Sequence, residues 1–213
     1  MPVSANMTPS EVLRVVDVNQ IKHIHFGRMA IFSSTGLLIS LVELRPFTIM
    51  SEVKVDQWDE LSQFLFHKRK FTNPTAKNGA LLEGLIFAIG WHKCSTKNKQ
   101  FGLYGSLGKI ENAKDEWWNQ GASLSSVGCI LGQSLQYVGD KFFQKIQTFY
   151  NGLGVLSFDQ VNYEADISTN QGEFKFSSAL TFTMNRFKHL PHVDKDASLY
   201  ASGWWFQADE QTG

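Results

Sequence analysis

The sequence contains only two cysteines, Cys94 and Cys129, in 213 residues. Two cysteines cannot build the disulfide framework of a small secreted domain, which favours a reducing compartment. The N-terminus carries Glu11 and Asp17 where a signal peptide would need a continuous apolar core. No apolar run is long and uninterrupted enough to span a bilayer. We therefore expect an intracellular protein that does not enter a membrane, with the nucleus as one candidate compartment.

An excess of charge of either sign is also missing, because 20 Lys and Arg residues balance 20 Asp and Glu residues. This balance gives no global signal for nucleic acid or an anionic membrane, although a local basic groove stays open. The 43% of apolar residues can bury a real core at this length. We predict a polar N-terminal arm over residues 1–20 and one domain over residues 21–213.

The first half of the chain predicts strands around one helix. Two β-rich runs, Lys22–Ser33 and Leu37–Phe47, are separated by a turn that contains Gly36, the pattern of a hairpin. A helix is predicted to open at Val55 with Asp56 as its N-cap. The apolar run 81–91 fits a buried strand or a helix, and its end, Ile-Phe-Ala-Ile before a glycine, favours a strand.

The second half predicts two helices followed by strands. A short helix is expected over Ala113–Gln120 and a longer one from about Ser125 to Gly152, whose apolar stripe would pack against the sheet. Phe174–Phe187 alternates apolar and polar residues with the period of a half-buried strand. Tyr200–Ala208 is predicted to be the next strand.

Between these last two segments lies the pair His192 and Asp194. Residues i and i+2 of an extended segment share a face, so an imidazole nitrogen and a carboxylate oxygen can aim at one point. The 2-His-1-carboxylate triad that binds non-haem Fe(II) uses such a local pair. A solvated turn after a strand is the alternative interpretation.

The residues around this pair resemble the fungal Tet-like 2-oxoglutarate, Fe(II)-dependent oxygenases. The resemblance covers about Ile21 to Gly213 and combines the H-x-D pair with its flanks and a long upstream region. Its segments are Gly27-Arg28, Leu44-Arg45-Pro46-Phe47, Asp56-Gln57-Trp58-Asp59, Phe87-Ala88-Ile89-Gly90-Trp91, Leu135-Gln136-Tyr137-Val138-Gly139-Asp140, Phe176 to Asn185, His189 to Ser198 and Gly203-Trp204-Trp205.

The resemblance implies an α+β fold, with an N-terminal β-hairpin and helices packed on the first strands of an incomplete double-stranded β-helix, or jelly roll. It implies Fe(II) and 2-oxoglutarate as cofactors and the oxidation of 5-methylpyrimidines in nucleic acid. His192 and Asp194 would be two iron ligands. Asp196, Tyr200 and Trp204 are candidates for positions beside the ligands or in the pocket. Either Trp204 or Trp205 could floor the pocket, with ordinary packing as the alternative.

The family pattern continues beyond its H-x-D with further strands, a distal histidine and a basic residue for 2-oxoglutarate. No histidine and no arginine follows Asp194 here. We therefore expect the N-terminal part of such a domain, truncated before the distal histidine. The alternatives are a catalytically inactive remnant that binds nucleic acid or protein, and a scaffold without metal.

The cluster His67-Lys68-Arg69-Lys70 ends the first predicted helix. Positive charge there complements the helix dipole, which is sufficient to explain it. The alternative is that Lys68, Arg69 and Lys70 contact a nucleic-acid backbone.

Overall fold

The computed structural model describes residues 24–74, 81–93, 101–160, 174–189, 200–206 and 208. Five strands and five α-helices lie along the described chain. In chain order the elements are β1 (Gly27–Phe32), β2 (Leu38–Leu44), α1 (Glu52–Lys68), β3 (Leu81–Lys93), β4 (Phe101–Leu103), α2 (Leu107–Asn112), α3 (Lys114–Gly121), α4 (Leu124–Val138), α5 (Asp140–Leu153) and β5 (Ala179–His189).

The strands form two antiparallel sheets. One is the hairpin β1–β2, and the other has the order β4-β3-β5. The mixture of helices and antiparallel sheets confirms the predicted α+β class. The jelly-roll core remains a prediction, because the described residues show only sheets of two and three strands.

The hairpin forms where the sequence predicts it, and it is tied to the end of α4. Gly36 takes a φ of +81°, a left-handed conformation that glycine adopts readily. Glu43 accepts hydrogen bonds from Arg28 and Arg45, whose guanidinium lies 3.7 Å from the Tyr137 ring centroid. Partial burial alone would raise the pKa of Glu43, but the two arginines outweigh it and the pKa is lowered.

The core lies between the β3–β5 pair and helices α1, α4 and α5. It consists of apolar side chains from all of these elements, which include Leu61, Phe64, Phe87, Ile89, Val127, Leu131, Phe143, Ile146 and Phe182. The pairing of β3 with β5 resolves the ambiguity of residues 81–91 in favour of a strand. Fifteen or more buried apolar side chains of this size supply the driving force for folding.

Two helix predictions need correction. Helix α1 begins one turn earlier than expected, at Glu52 with Ser51 in the N-cap position, so Asp56 lies inside the helix. The single helix predicted over Ser125–Gly152 is two helices, because the backbone is extended at Gly139 with φ −161° and ψ 87°. Asp140 starts α5 there and accepts hydrogen bonds from Gln136 and Gln144.

The strand predicted over Phe174–Phe187 is also shorter than expected. Strand β5 begins at Ala179, not at Phe174. The preceding residues are held by other contacts, since the Ser177 carbonyl accepts from the Phe158 N–H and the Ser178 carbonyl from the Trp91 N–H. Phe176 is buried without belonging to a strand.

A bulge interrupts the β3–β5 ladder. Asn185 and Arg186 have φ angles of 63° and 54°, and the register shifts opposite them near Gly84, whose φ is +82°. A Cβ at Gly84 would lie 2.6 Å from the Phe187 Cα and 2.7 Å from the Met184 carbonyl oxygen. The bulge therefore requires glycine at position 84.

We predict that Gly84→Ala lowers the free energy of unfolding by about 3 kcal/mol, because the positive φ and the backbone clash both oppose a side chain. Gly152→Ala is the matched control, since nothing lies within 4 Å of its added Cβ and its φ is not positive. That variant should be as stable as the wild type or gain up to about 1 kcal/mol. Urea denaturation measures both, and equal stability of the two variants would contradict the bulge assignment.

Candidate functional site

A cleft of about 1260 Å³ opens over strand β5. Its walls come from α1, β3, α5, β5 and the segment 200–206, and we call it the β5 cleft. Among the described residues, those that line it include the cations Arg69 and Arg186 and the imidazole of His92, but no Asp or Glu. In a chain of zero net charge, this concave surface is therefore biased towards positive charge.

Aromatic side chains form much of the cleft wall. They come from several elements, and they include Trp91, Tyr104, Phe149, Tyr150, Tyr200 and Trp205. A groove that combines cationic side chains with aromatic faces suits ligands that carry both negative charge and flat rings.

The segment predicted as a strand over Tyr200–Ala208 has no strand geometry at the described residues 200–206 and 208. Trp204 packs inward, with its indole N–H donating to Ser134 Oγ at 3.2 Å and its ring 5.8 Å from Phe176. Trp205 is 91% exposed at the cleft. Trp204 both packs in the core and lines the cleft.

Tyr200 also lines the cleft, where its ring meets Phe142 edge-on at 4.7 Å. His192, Asp194 and Asp196 lie outside the described residues. On either side of them, Phe187 and Tyr200 both line the β5 cleft. Phe187 and Tyr200, which flank the H-x-D pair in the sequence, thus contribute to one concave surface. The role of the pair as metal ligands stays a prediction.

The described residues do not by themselves form a metal centre. Within them, no three His, Cys, Asp or Glu side chains are close enough together to hold an ion. The imidazole and carboxylate of His192 and Asp194 are the donor types that Fe(II) takes in oxygenases, so the chemistry of the pair fits iron. No third ligand is assigned.

The position of Lys68 argues against its predicted contact with a nucleic-acid backbone. Its side chain is 1% exposed, so it cannot reach a nucleic-acid phosphate in this structure. The ammonium lies 3.4 Å from the Trp117 ring centroid and within 6 Å of the rings of Phe64 and Phe71. Nζ has no hydrogen-bond acceptor among the residues that the structure describes. This burial lowers the pKa of Lys68 to about 8.

A signal for this burial is present in the sequence. Lys68 follows Leu61, Phe64 and Leu65 at i+7, i+4 and i+3, so it lies on the apolar stripe of α1. The helical periodicity therefore separates Lys68 from the other three residues of the basic cluster and predicts its burial.

Arg69 and Lys70 differ from Lys68 in their surroundings. The Arg69 guanidinium stacks 3.6 Å from the Phe66 ring centroid and lines the cleft. Lys70 is half-exposed and forms an ion pair with Glu116. Of the three predicted nucleic-acid contacts, only Arg69 lies at the β5 cleft.

The sequence interpretation missed Arg186 as a cleft residue, whereas it named Trp204 and Trp205 as candidates for the pocket floor. An isolated glycine within a strand pattern, as at Gly84, is a known signal for a bulge. Asn185 tolerates the left-handed region better than most residues. Together these two residues could have indicated the bulge that places Arg186 beside the cleft.

The described residues define an α+β protein with a cleft lined by arginines and aromatic rings. Residues 51–213 match the model of the Tet-like 2OG-Fe(II) oxygenase superfamily, so the chain belongs to that superfamily. The match begins at residue 51 and so does not include the β1–β2 hairpin, although two segments of the hairpin region were part of the sequence resemblance. Searches of curated proteins and of solved structures found no match.

Membership supports a dioxygenase-type domain and suggests dependence on Fe(II) and 2-oxoglutarate. Among the helices of the described ranges, none combines the length and the apolar character needed to cross a membrane.

We predict that the free energy of unfolding rises between pH 8 and pH 10.5 because of Lys68. The ammonium of Lys68 in the unfolded chain keeps its proton up to its ordinary pKa of 10.5. In the folded chain the pKa of Lys68 is about 8, so the proton is released at a lower pH. The contribution of Lys68 to the free energy of unfolding is therefore lowest below pH 8, and it rises by at most about 3 kcal/mol across the window. The attraction of the charged form to Trp117 opposes part of this gain.

Lys68→Met should flatten the rise, as measured by urea denaturation at several pH values. Lys70→Met is the control, because the ammonium of Lys70 is half-exposed and paired with Glu116. If Lys68→Met and the wild type show the same pH slope, the buried ammonium is not the source.

Proposed function

We propose that this protein is an Fe(II)- and 2-oxoglutarate-dependent dioxygenase that oxidises the methyl group of a 5-methylpyrimidine in nucleic acid. The observation that carries the substrate class is the β5 cleft, whose lining combines arginines and aromatic rings without a carboxylate among its described residues. The family match supports the reaction class. Phe187 and Tyr200, which precede and follow the H-x-D pair in the sequence, both line the cleft.

His192 and Asp194 would supply two iron ligands, and Asp196 would lie close enough in sequence to orient them. When bound, Fe(II) and 2-oxoglutarate would allow dioxygen to oxidise the methyl group: one oxygen atom would enter the hydroxymethyl product and the other the succinate formed, with CO2, from 2-oxoglutarate. Trp204 and Tyr200 support the cleft through their contacts with Ser134, Phe176 and Phe142.

The cleft residues would receive the target base and the charged backbone beside it. A base within a duplex cannot reach a centre recessed in a protein, so it must be flipped out or presented in a single strand. Aromatic rings then stack on the unpaired base, whatever its identity. Trp205 is suited to this role because its ring is 91% exposed and is not used in the core.

The stacking face of Trp205 depends on a neighbouring glycine. The six-membered ring of Trp205 passes so close to Gly203 that an added Cβ would lie 2.8 Å from Cη2. The glycine thus permits the ring to lie over the backbone, which limits the orientations of the exposed ring and reduces the entropy lost on stacking.

We expect His192→Ala and Asp194→Ala each to abolish formation of 5-hydroxymethylpyrimidine from a methylated oligonucleotide, measured by mass spectrometry with Fe(II) and 2-oxoglutarate. Both should also remove the visible charge-transfer band of the Fe(II)–2-oxoglutarate complex, because each change deletes a ligand. His67→Ala is the control, since His67 lies on α1 and does not line the β5 cleft.

Oligonucleotide binding without product in the wild type would support the alternative, a domain that binds nucleic acid without catalysis. A band that persists in both ligand variants would overturn the iron assignment.

We expect Trp205→Ala to weaken binding of a single-stranded methylated oligonucleotide about tenfold, from the loss of one stacking contact. Trp118→Ala is the matched control, because Trp118 is also exposed, at 52%, but lies on α3 outside the cleft lining. Fluorescence anisotropy measures both affinities. Equal losses in the two variants would count against a stacking role for Trp205.

A further inference from the structure

Arg69 has an unusual set of contacts for an arginine that lines a cleft. Its guanidinium stacks on Phe66, and Nη1 donates to the sulfur of Met184 at 3.7 Å. Sulfur is a weak acceptor, and a guanidinium carries five N–H donors. Among the described residues no carboxylate forms an ion pair with Arg69. Most of its donors are therefore available to a ligand.

Arg45 is a useful comparison, because its guanidinium is bound by a carboxylate within the same protein. Its guanidinium also stacks on an aromatic ring, 3.7 Å from the centroid of Tyr137, but it forms an ion pair with Glu43 at 2.7 Å. Stacking is thus common to both residues. The difference is the carboxylate, which is present beside Arg45 and absent from the described lining of the β5 cleft.

The second cation of the cleft is presented by the bulge in β5. Arg186 has a φ of 54°, and Asn185 beside it has a φ of 63°, conformations that cost free energy in residues other than glycine. Bulges of this kind redirect side chains, and strained backbone is concentrated at functional sites. The nearby carboxylate of Glu83 forms an ion pair with Lys188 at 2.6 Å, and Lys188 first and then Arg186 lower the pKa of Glu83, so Arg186 has a partial counter-charge outside the cleft lining.

Arg69 and the bulge are adjacent. The hydrogen bond from Arg69 to Met184 connects the C-terminal end of α1 to the residue that precedes the bulge. Arg69 and Arg186 then line one concave surface from two different elements. Planar guanidinium groups bind phosphate and carboxylate oxygens in a bidentate manner, which a lysine ammonium cannot reproduce.

We propose that Arg69 and Arg186 form an anion-binding subsite of the β5 cleft, which holds a group with several negatively charged oxygens. The identity of that group rests on the proposed function: it is either a phosphodiester of the nucleic acid or a carboxylate of the 2-oxoacid. The existence of the subsite does not depend on turnover, since anion binding can be measured without iron.

The test compares Arg69→Gln and Arg186→Gln with the control Arg45→Gln in the full chain. The first probe is a single-stranded oligonucleotide without added metal. If the anion is a phosphodiester, each cleft variant should bind it about tenfold more weakly, and the dependence of log affinity on log salt should become shallower by about one. Arg45→Gln should leave both quantities unchanged.

The second probe is glutarate, a dicarboxylate that lacks the keto group needed to chelate iron, with affinity measured by calorimetry. Selective loss of glutarate binding in the cleft variants would identify a carboxylate as the anion. Arg69→Lys separates charge from geometry, because it keeps the charge and should still lose affinity if bidentate binding matters.

Arg186→Gln keeps the test decisive if Arg69→Gln fails to fold, since Arg186 is exposed. Unchanged affinity for both probes in folded cleft variants would overturn the subsite. Loss of product with intact anion binding would instead count against the iron assignment and leave the subsite standing.

Discussion

The pairing of β3 with β5 is the constraint on which the rest of the molecule depends. It joins residues 81–90 to residues 179–189 across most of the domain, and helices α1, α4 and α5 bury their apolar faces against it. Non-local pairing of this kind has a large loop-closure cost, which burial of the core must offset. The same strand that completes the core also forms a wall of the cleft and leads directly to the H-x-D segment.

Close packing around this pair depends on positions without a side chain. A Cβ at Gly132 on α4 would lie 2.5 Å from the Cβ of Phe174, and one at Gly90 on β3 would lie 2.5 Å from the Ser178 carbonyl oxygen. These approaches draw the chain before β5 against both α4 and β3. The bulge at Asn185 follows this anchored part of β5, and the buried Phe87–Phe182 stack lies in the regularly paired part of the ladder before it.

The sequence was sufficient to predict those structural features that depend on the local pattern of turn residues and apolar residues. The hairpin around Gly36 and the amphipathic helices follow from turn chemistry and periodicity, whereas periodicity left residues 81–91 open between strand and helix. The break at Gly139 was missed because both flanking segments are apolar on one face, although the Gly-Asp pair is a stop and start signal. Periodicity places Lys68 on the buried face of α1, but it cannot identify the tertiary neighbours of Lys68 and Arg69, which are Trp117 and Met184.

The balanced composition of the chain is compatible with an anionic ligand because the charges are unevenly placed. Three pairings neutralise cations outside the cleft: Glu43 with Arg28 and Arg45, Glu116 with Lys70, and Glu83 with Lys188. A separate surface of α1 collects the carboxylates Asp56, Asp59 and Glu60. These acidic residues therefore lie outside the described cleft lining, which contains two arginines and no Asp or Glu. Net charge reports on solubility and long-range attraction, whereas recognition depends on this local imbalance.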